Sequence, residues 1–188
     1  MQVRIAQFED QKAYEELYVC LYKYLYNFAW SFVKSKQLAE EIVSDVFIKV
    51  WQKRSTLESI DNFKVYLYVA TKNISLNYLG KSKSFSVSDI QDFSTELISN
   101  YSDPEQLLIT SDMMVLIQNA ITQLPSRCRL IFQLVKEDKM KCREVAEILQ
   151  LSTKTVENQV AIAVRKIGNA VRFDIGRAIV SPTGQSTK

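Results

Sequence analysis

The segment Lys141 to Ile167, KCREVAEILQLSTKTVENQVAIAVRKI, constrains the fold of this chain most strongly, because two short helical patterns meet there at a turn. The first pattern places four apolar residues on one face: Val145, Ala146, Ile148 and Leu149. In the second, apolar residues recur at helical spacing: Val156, Val160, Val164 and Ile167. Ser152 is suited to cap the second helix, which should begin at about Thr153. The pattern predicts a helix-turn-helix.

The outer face of the second predicted helix is polar, as expected of a helix that contacts base edges and phosphates in a major groove. Its candidate DNA contacts are Thr153, Lys154, Thr155, Glu157, Asn158, Gln159, Ile162, Arg165 and Lys166. Further candidates for phosphate contacts are Arg127, Arg129 and Arg143. An ordinary helical hairpin with a solvated face stays an alternative, since Gln150 stands where such turns often contain glycine.

Composition favours an all-α fold, because only 4 Gly and 3 Pro occur in 188 residues of which 47% are hydrophobic. The net charge is +1 over residues 1–80, −4 over 81–112 and +6 over 113–188, so the basic surplus lies with the helix-turn-helix. No apolar run has the length of a membrane span, and the amino terminus lacks the apolar core of a secretory signal. We therefore expect a cytoplasmic protein with no direct membrane insertion.

Enzymatic activity is not expected from the residues present. The chain contains no histidine, and no glycine-rich phosphate loop, nucleophile elbow or metal-ligand motif occurs. Cys20, Cys128 and Cys142 are far apart and odd in number, which favours buried free thiols over a disulfide framework or zinc site. We expect no catalytic residue, metal, cofactor or small-molecule substrate.

A stretch rich in serine and acidic residues separates two strongly helical parts and is typical of a linker. The predicted organisation is a domain at 1–84, a linker at 85–111 and a second domain at 112–180. Asp103 and Pro104 suggest a helix start near the end of the linker, and a further helix is predicted from Ser126 to about Lys136.

In the first domain, aromatic residues at helical spacing are expected to form core. They include Tyr14, Tyr18, Tyr22, Phe28, Trp30 and Phe32. A helix from Leu38 to about Arg54 should bury Leu38, Ile42, Val46, Phe47 and Val50. Its other side combines charge with an apolar residue, as a protein-docking face does: Glu41, Ser44, Asp45, Ile48, Lys49 and Gln52, with Trp51 at the boundary. A third helix, from about Phe63 to Leu79, places Asn73 and Asn77 one turn apart.

Several motifs occur together and in order. They are AEEIVSDVFIKVW at 39–51, NFKVYLYVATKNISLNYL at 62–79, DPEQLL at 103–108, LPSRCRLIF at 124–132, and the helix-turn-helix. With them the chain resembles the extracytoplasmic-function (ECF) sigma factors over nearly its whole length. The resemblance implies a promoter-melting domain (region two) first, a flexible linker, and then an upstream-element domain (region four).

The resemblance also implies partners, namely core RNA polymerase, promoter DNA and an anti-sigma factor. The polymerase-docking residues would be Glu41, Asp45, Ile48, Lys49 and Trp51. A base extruded from the minus-ten element would be held near the loop 55–65 by Asn62, Tyr66, Asn73 and Asn77. The helix-turn-helix would bind the upstream element. Ser44 departs from a common glutamine of the family, Tyr66 from a frequent tryptophan, and Ala161 and Ile162 from a frequent aromatic and arginine.

Two other classes of protein compete with this interpretation. A conventional helix-turn-helix regulator would bind duplex DNA as a dimer without polymerase, although such a protein leaves the asparagine helix at 63–79 unexplained. A helical adaptor that binds only proteins would show no salt-sensitive binding to DNA.

Overall fold

In the computed structural model, residues 2–8, 10–80 and 111–180 are described, with backbone alone at 111–112 and 173–180. All the regular structure in these ranges is helical, which confirms the all-α prediction. The predicted helix start at Asp103 and Pro104, and residues 85–110 of the predicted linker, lie outside the described residues.

The amino-terminal unit, residues 2–80, consists of α1 (Gln2–Phe8), α2 (Gln11–Val33), α3 (Lys36–Gln52), a 3₁₀ helix (Arg54–Ser59) and α4 (Phe63–Tyr78). The long helix α2 packs against both α3 and α4, which also pack against each other. The helix α1 packs against the 3₁₀ helix. The unit is therefore a small bundle in which α3 and α4 each keep one face toward solvent.

The starts of these helices follow from side-chain caps. The carboxylate of Asp10 accepts a hydrogen bond from the Ala13 N–H at 3.0 Å, at the start of α2. The Asn62 side-chain oxygen accepts one from the Val65 N–H at 3.1 Å, at the start of α4. Each cap satisfies an amide that has no partner within its helix, an effect of about 1 kcal/mol.

The aromatic core is only partly as predicted. Phe28, Trp30 and Phe32 are buried, whereas Tyr14 and Tyr22 are half-buried. The prediction for Tyr18 is wrong, since it is 38% exposed. The neighbouring Leu17 takes the inward direction, so the Tyr18 ring lies along the surface, 4.7 Å from the Phe47 ring centre.

Two other burial predictions in this unit are also wrong. Leu38 lies in the first turn of α3 and is only half-buried, because Ala39, Ile42 and Val43 provide the inward face there. Cys20 is exposed on α2, next to the surface residue Val19, and is not the buried thiol that was expected. The residues Ile42, Val46, Phe47 and Val50 are buried as predicted.

The carboxy-terminal unit, residues 111–180, consists of α5 (Ser111–Thr122), α6 (Ser126–Lys136), α7 (Cys142–Leu149) and α8 (Thr153–Val180). The predicted bounds of α6 are confirmed. The last helix begins at Thr153, as predicted, and continues beyond the apolar stripe to Val180. Gly168 does not stop it, since a single glycine inside a helix costs only about 1 kcal/mol relative to alanine.

The two units contact each other through α4 and α7. One apolar cluster includes residues of both, among them Val65, Leu67, Leu134 and Met140. A smaller cluster, formed by Ile121, Leu124, Cys128, Phe132 and Ala163, lies within the carboxy-terminal unit. No helix in the described ranges is long and apolar enough to span a membrane.

Candidate nucleic-acid and protein-binding surfaces

The turn between α7 and α8 has the geometry of a helix-turn-helix. Gln150 adopts the left-handed conformation, with φ 56° and ψ 48°, and so occupies the conformation that glycine would favour. The Leu151 N–H then donates to the Ala146 carbonyl at 2.9 Å. The Ser152 hydroxyl accepts from the Thr155 N–H at 3.0 Å, as the sequence predicts for the cap of α8.

The inner face of α8 differs from the predicted stripe. Val156 and Ala163 are fully buried, whereas Val164 is 51% exposed. A helix turns by about 100° per residue, so the seventh residue after Val156 points in nearly the same direction, while the eighth points about 80° away. The prediction that Val164 is core is therefore wrong, and Ala163 takes its place.

Ile162 is also placed differently from the prediction. It is half-buried and packs against the smaller apolar cluster, because α5 covers a second side of α8. It is therefore not on the open outer face with the polar candidates.

The polar candidates of the helix-turn-helix lie at the surface. Thr153, Lys154, Glu157, Asn158, Arg165 and Lys166 are exposed on α8, and Thr155 and Gln159 are half-buried. Arg143 is exposed on α7. The Lys154 ammonium lies 3.9 Å from the Glu157 carboxylate, an exposed pair that water screens strongly. Lysine and arginine here can contact phosphates, and the amide of Asn158 can pair with a base edge.

The idea that Arg129 contacts phosphate is wrong, because it is buried at 8% exposure. Its guanidinium donates to the carbonyl oxygens of Thr122 and Leu124, the latter at 2.9 Å. Thr122 is the last residue of α5, where carbonyls have no partner within the helix, and Leu124 lies in the turn that follows. Arg129 therefore stabilises the join between α5 and α6.

One side of α4 presents the residues that the resemblance relates to the minus-ten element. Asn62, Tyr66, Asn73 and Asn77 are spaced by 4, 7 and 4 residues and so lie along one stripe of the helix. Asn73 and Asn77 are exposed, and Tyr66 is half-buried. Sequence reasoning missed Phe63, whose ring is stacked with the Tyr66 ring, with centres 6.2 Å apart and planes 13° apart.

The docking face predicted on α3 is open to solvent. Glu41, Ile48 and Lys49 are exposed, and Ile48 is 52% exposed although it is apolar. Asp45 is half-buried and accepts a hydrogen bond from the Tyr78 hydroxyl at 3.2 Å. Partial desolvation, together with the carboxylates of Glu41 and Asp45, raises the pKa of Tyr78 to about 12. Tyr78, which sequence reasoning did not select for this face, thus joins the end of α4 to α3.

Trp51 lies at the edge of this face, as expected. It is half-buried against Tyr14, with ring centres 5.0 Å apart, and the Arg54 guanidinium lies 5.0 Å from its ring centre. Trp51 thus contributes to the packing between α2 and α3. It is also one of the residues predicted to dock on polymerase.

The cysteines of the described part of the chain do not form a metal site. No group of three or more potential ligands is close enough to hold a metal ion there. Cys128 is buried, as predicted, and burial raises the pKa of its thiol. Cys142 is half-buried.

Comparison with known families gives two matches. Residues 17–85 match Sigma-70 region 2, and residues 114–167 match Sigma-70, region 4. The first match contains α3 and α4, and the second contains the helix-turn-helix. The surfaces described above therefore lie within the matched segments.

Two proteins that are similar to this chain are named ECF RNA polymerase sigma factors. The chain is 24% identical over 177 residues to the ECF RNA polymerase sigma-E factor of Escherichia coli (strain K12), a match that covers 90% of this chain and 92% of the relative. It is 25% identical over 129 residues to the ECF RNA polymerase sigma factor SigW of Bacillus subtilis (strain 168), covering 65% and 69%. A conventional regulator is not favoured, because both sigma regions are matched. The chain belongs to the ECF family of RNA polymerase sigma factors and is a transcription initiation factor.

Proposed function

We propose that three surfaces divide the work of initiation. The open face of α3 binds core RNA polymerase, the asparagine stripe of α4 holds an extruded base of the minus-ten element, and α8 binds the upstream element as duplex. The observation that carries this proposal is that each matched region presents its candidate residues to solvent, with Ile48, Asn73 and Asn158 all exposed.

The face of α3 combines charge with one exposed apolar side chain. Exposure of the apolar Ile48 side chain to water is unfavourable, and a binding partner would cover it. Glu41 and Lys49 lie beside it and can form polar contacts with that partner. Asp45 is held by Tyr78, so its carboxylate is positioned before a partner arrives. This arrangement fits a protein-docking surface better than a solvated helix face.

Replacement of one exposed apolar residue tests the docking surface. Ile48→Asp should weaken binding to core RNA polymerase by tenfold or more, whereas Val19→Asp on α2, which is 78% exposed, should leave binding unchanged. Affinity is measured by fluorescence anisotropy of labelled protein titrated with core enzyme, after both variants are shown to melt like the parent. Equal affinities for the two variants would remove α3 from the docking role.

The stripe of α4 offers amides and rings to an unstacked base. Extrusion of a base costs a few kcal/mol, which hydrogen bonds from Asn73 and Asn77 and stacking on Tyr66 can recover. Asn73→Ala should therefore reduce open-complex formation while closed-complex binding stays near the parent value. Permanganate reactivity of promoter thymines measures opening.

Asn169→Ala is the matched control, since Asn169 is exposed on α8 just beyond the matched region 4 segment. It makes the same chemical change on a helix surface. Thymine reactivity that is equal in Asn73→Ala, Asn169→Ala and the parent would show that Asn73 has no part in melting.

We further propose that the protein acts in the cytoplasm and is regulated by an anti-sigma factor, as the family resemblance implies. An anti-sigma factor that binds the α3 face would compete with core enzyme. Its presence is tested by purification of tagged chain from its own cells, where a stoichiometric partner that blocks transcription is expected. Full activity of the chain in every purified complex would contradict this proposal.

A further inference from the structure

The two units are joined by polar contacts at the end of α4 that carries Asn62. The Tyr68 hydroxyl, in α4, donates to the Asp138 carboxylate at 2.6 Å, and both side chains are buried. The Lys64 ammonium donates to the Asp138 carbonyl oxygen. Asp138 lies in the loop between α6 and α7, so these bonds join two segments 70 or more residues apart.

A third contact involves a predicted DNA-binding residue. The Asn62 side-chain N–H donates to the Glu144 carboxylate at 2.8 Å, while its oxygen caps α4. The side-chain oxygen of Asn62 and one of its two side-chain N–H groups are therefore engaged within the protein. Glu144 also accepts from the Lys141 N–H at 2.8 Å, which holds the carboxylate in place beside Asn62.

This arrangement opposes binding of a DNA strand at that end of α4. An approaching phosphate would meet the negative charge of Glu144, and the Asn62 amide is already held by its bonds to Glu144 and to the first turn of α4. Lys64, which would otherwise attract phosphate, points its ammonium at the Asp138 carbonyl. By contrast, Lys154, Asn158 and Arg165 stay exposed on α8.

We propose that the free chain adopts a closed state in which the carboxy-terminal unit, through Asp138 and Glu144, blocks the Asn62 end of the minus-ten surface, and that core polymerase binding opens it. The closed state lowers affinity for the melted minus-ten strand but leaves the duplex-binding face of α8 available. This inference rests on the proposed function for its DNA consequence, whereas the closed state itself is independent of that function.

Two variants should open the closed state by different means. Tyr68→Phe keeps the buried ring but leaves the Asp138 carboxylate without its donor, which should raise the open-to-closed ratio by about tenfold or more. Lys64→Glu replaces a positive charge, which helps to lower the pKa of both Asp138 and Glu144, by a negative charge that repels them.

Each opening variant has a matched control within the amino-terminal unit. Tyr14→Phe removes the same hydroxyl group, but the Tyr14 hydroxyl donates to the Phe47 carbonyl inside that unit at 2.8 Å. Lys12→Glu makes the same charge change at an exposed position of α2. The controls therefore separate loss of the contact between units from general loss of stability.

The distance between the units is measured in the full chain by double electron–electron resonance. Spin labels are attached to the native, exposed Cys20 and to Glu147→Cys on α7, with Cys128 and Cys142 replaced by alanine. This background is first shown to unfold cooperatively. A single short distance is expected for it and for both controls, and a second, longer distance for Tyr68→Phe, for Lys64→Glu and for the background bound to core polymerase.

A second readout tests the consequence for DNA. The probe is a fluorescent single strand carrying the minus-ten non-template sequence of a promoter that the chain uses in transcription with core enzyme. Tyr68→Phe should bind this strand about tenfold more tightly than Tyr14→Phe does, with equal affinities for upstream duplex.

The outcomes distinguish the parts of the account. A broad distance distribution in the background protein, or one unchanged in both opening variants and with polymerase, would overturn the closed state. A closed state that opens as expected without any gain in strand binding would overturn the blocking role of the contact, and would leave the transcription function unaffected.

Discussion

Single residues of α8 should differ in what they contribute to DNA binding. Asn158 is exposed and has an amide that can pair with a base edge, whereas Lys154 has a single positive charge suited to phosphate. Asn158→Ala should cost about 1–3 kcal/mol on the preferred duplex and relax discrimination at one position. Lys154→Ala should weaken all duplexes and reduce the salt slope by about one.

Titrations of the full chain against cognate and scrambled duplex at several salt concentrations measure both effects. Glu147→Ala, at an exposed position of α7 outside the predicted DNA contacts, is the control for surface truncation. If Asn158→Ala and Lys154→Ala change the two duplexes to the same extent, the division between base and phosphate contacts is wrong.

Arg129 should matter for stability and not for DNA. Arg129→Met keeps much of the buried aliphatic stem but leaves the Thr122 and Leu124 carbonyls without this donor, so the free energy of unfolding should fall by about 2 kcal/mol. Arg143→Met, at an exposed site, should change unfolding by less than about 0.5 kcal/mol. Urea unfolding followed by circular dichroism measures both, and an unchanged midpoint for Arg129→Met would contradict its structural role.

At the scale of helices, α8 contains a glycine, Gly168, whose substitution should raise the stability of the fold. A side-chain carbon added at Gly168 would meet no atom within 4 Å, and Gly168 has ordinary helical φ. Gly168→Ala should therefore raise the free energy of unfolding by about 0.5–1 kcal/mol. Gly80→Ala should lower it, because Gly80 has a φ of +65° although the space around it is open. Thermal unfolding of the two variants should shift in opposite directions, and a shift of the same sign would contradict this assignment of backbone strain.

The helices were largely predictable because local signals mark them. Ser126 to Lys136 and the Ser152 cap follow from short-range patterns that the structure confirms. What the sequence could not show depends on neighbours far along the chain. Ile162 is covered because α5 packs on α8, and Arg129 is buried because the end of α5 offers it carbonyls. Periodicity alone contains no information about which second helix will cover a face.

The residues of the candidate site could be predicted from the sequence, but their contacts with distant parts of the chain could not. The helical pattern selected Asn158 and Ile48, the resemblance selected Asn73, and the structure places all three at the surface. The partners of Asn62 and Asp45 could not be predicted, since Glu144 lies 82 residues from Asn62 and Tyr78 lies 33 residues from Asp45. Such bonds depend on how helices meet in three dimensions.

At the scale of the whole molecule, the proposed closed state should depend on pH. Burial, as the main cause, raises the pKa of Asp138 to about 7, against the opposing effects of the Tyr68 hydroxyl and Lys64 and with a further increase from Glu137. Burial also raises the pKa of Glu137, against the charge of Lys23. The closed state therefore favours the protonated, neutral forms of Asp138 and Glu137. At low pH both carboxyls are neutral and their burial does not oppose closing, whereas the closed state loses stability as pH rises through about 7.

The open fraction should thus be larger at about pH 8 than at about pH 5.5. The same pair of spin labels measures it, and Asp138→Asn should remove most of the dependence while Asp61→Asn, at an exposed position before α4, should keep it. A parent whose open fraction falls with rising pH would contradict the assigned sign.

The most direct test of the central claim, that this chain directs initiation through surfaces on both units, is reconstituted run-off transcription with core RNA polymerase and fragments of the source genome. The parent should yield discrete transcripts from a small set of fragments, and core enzyme alone should not. Ile48→Asp and Asn73→Ala should reduce all of these transcripts, and Asn158→Ala should change their relative amounts. Transcription by the parent mixture that is no more specific than that of core enzyme alone would contradict the account.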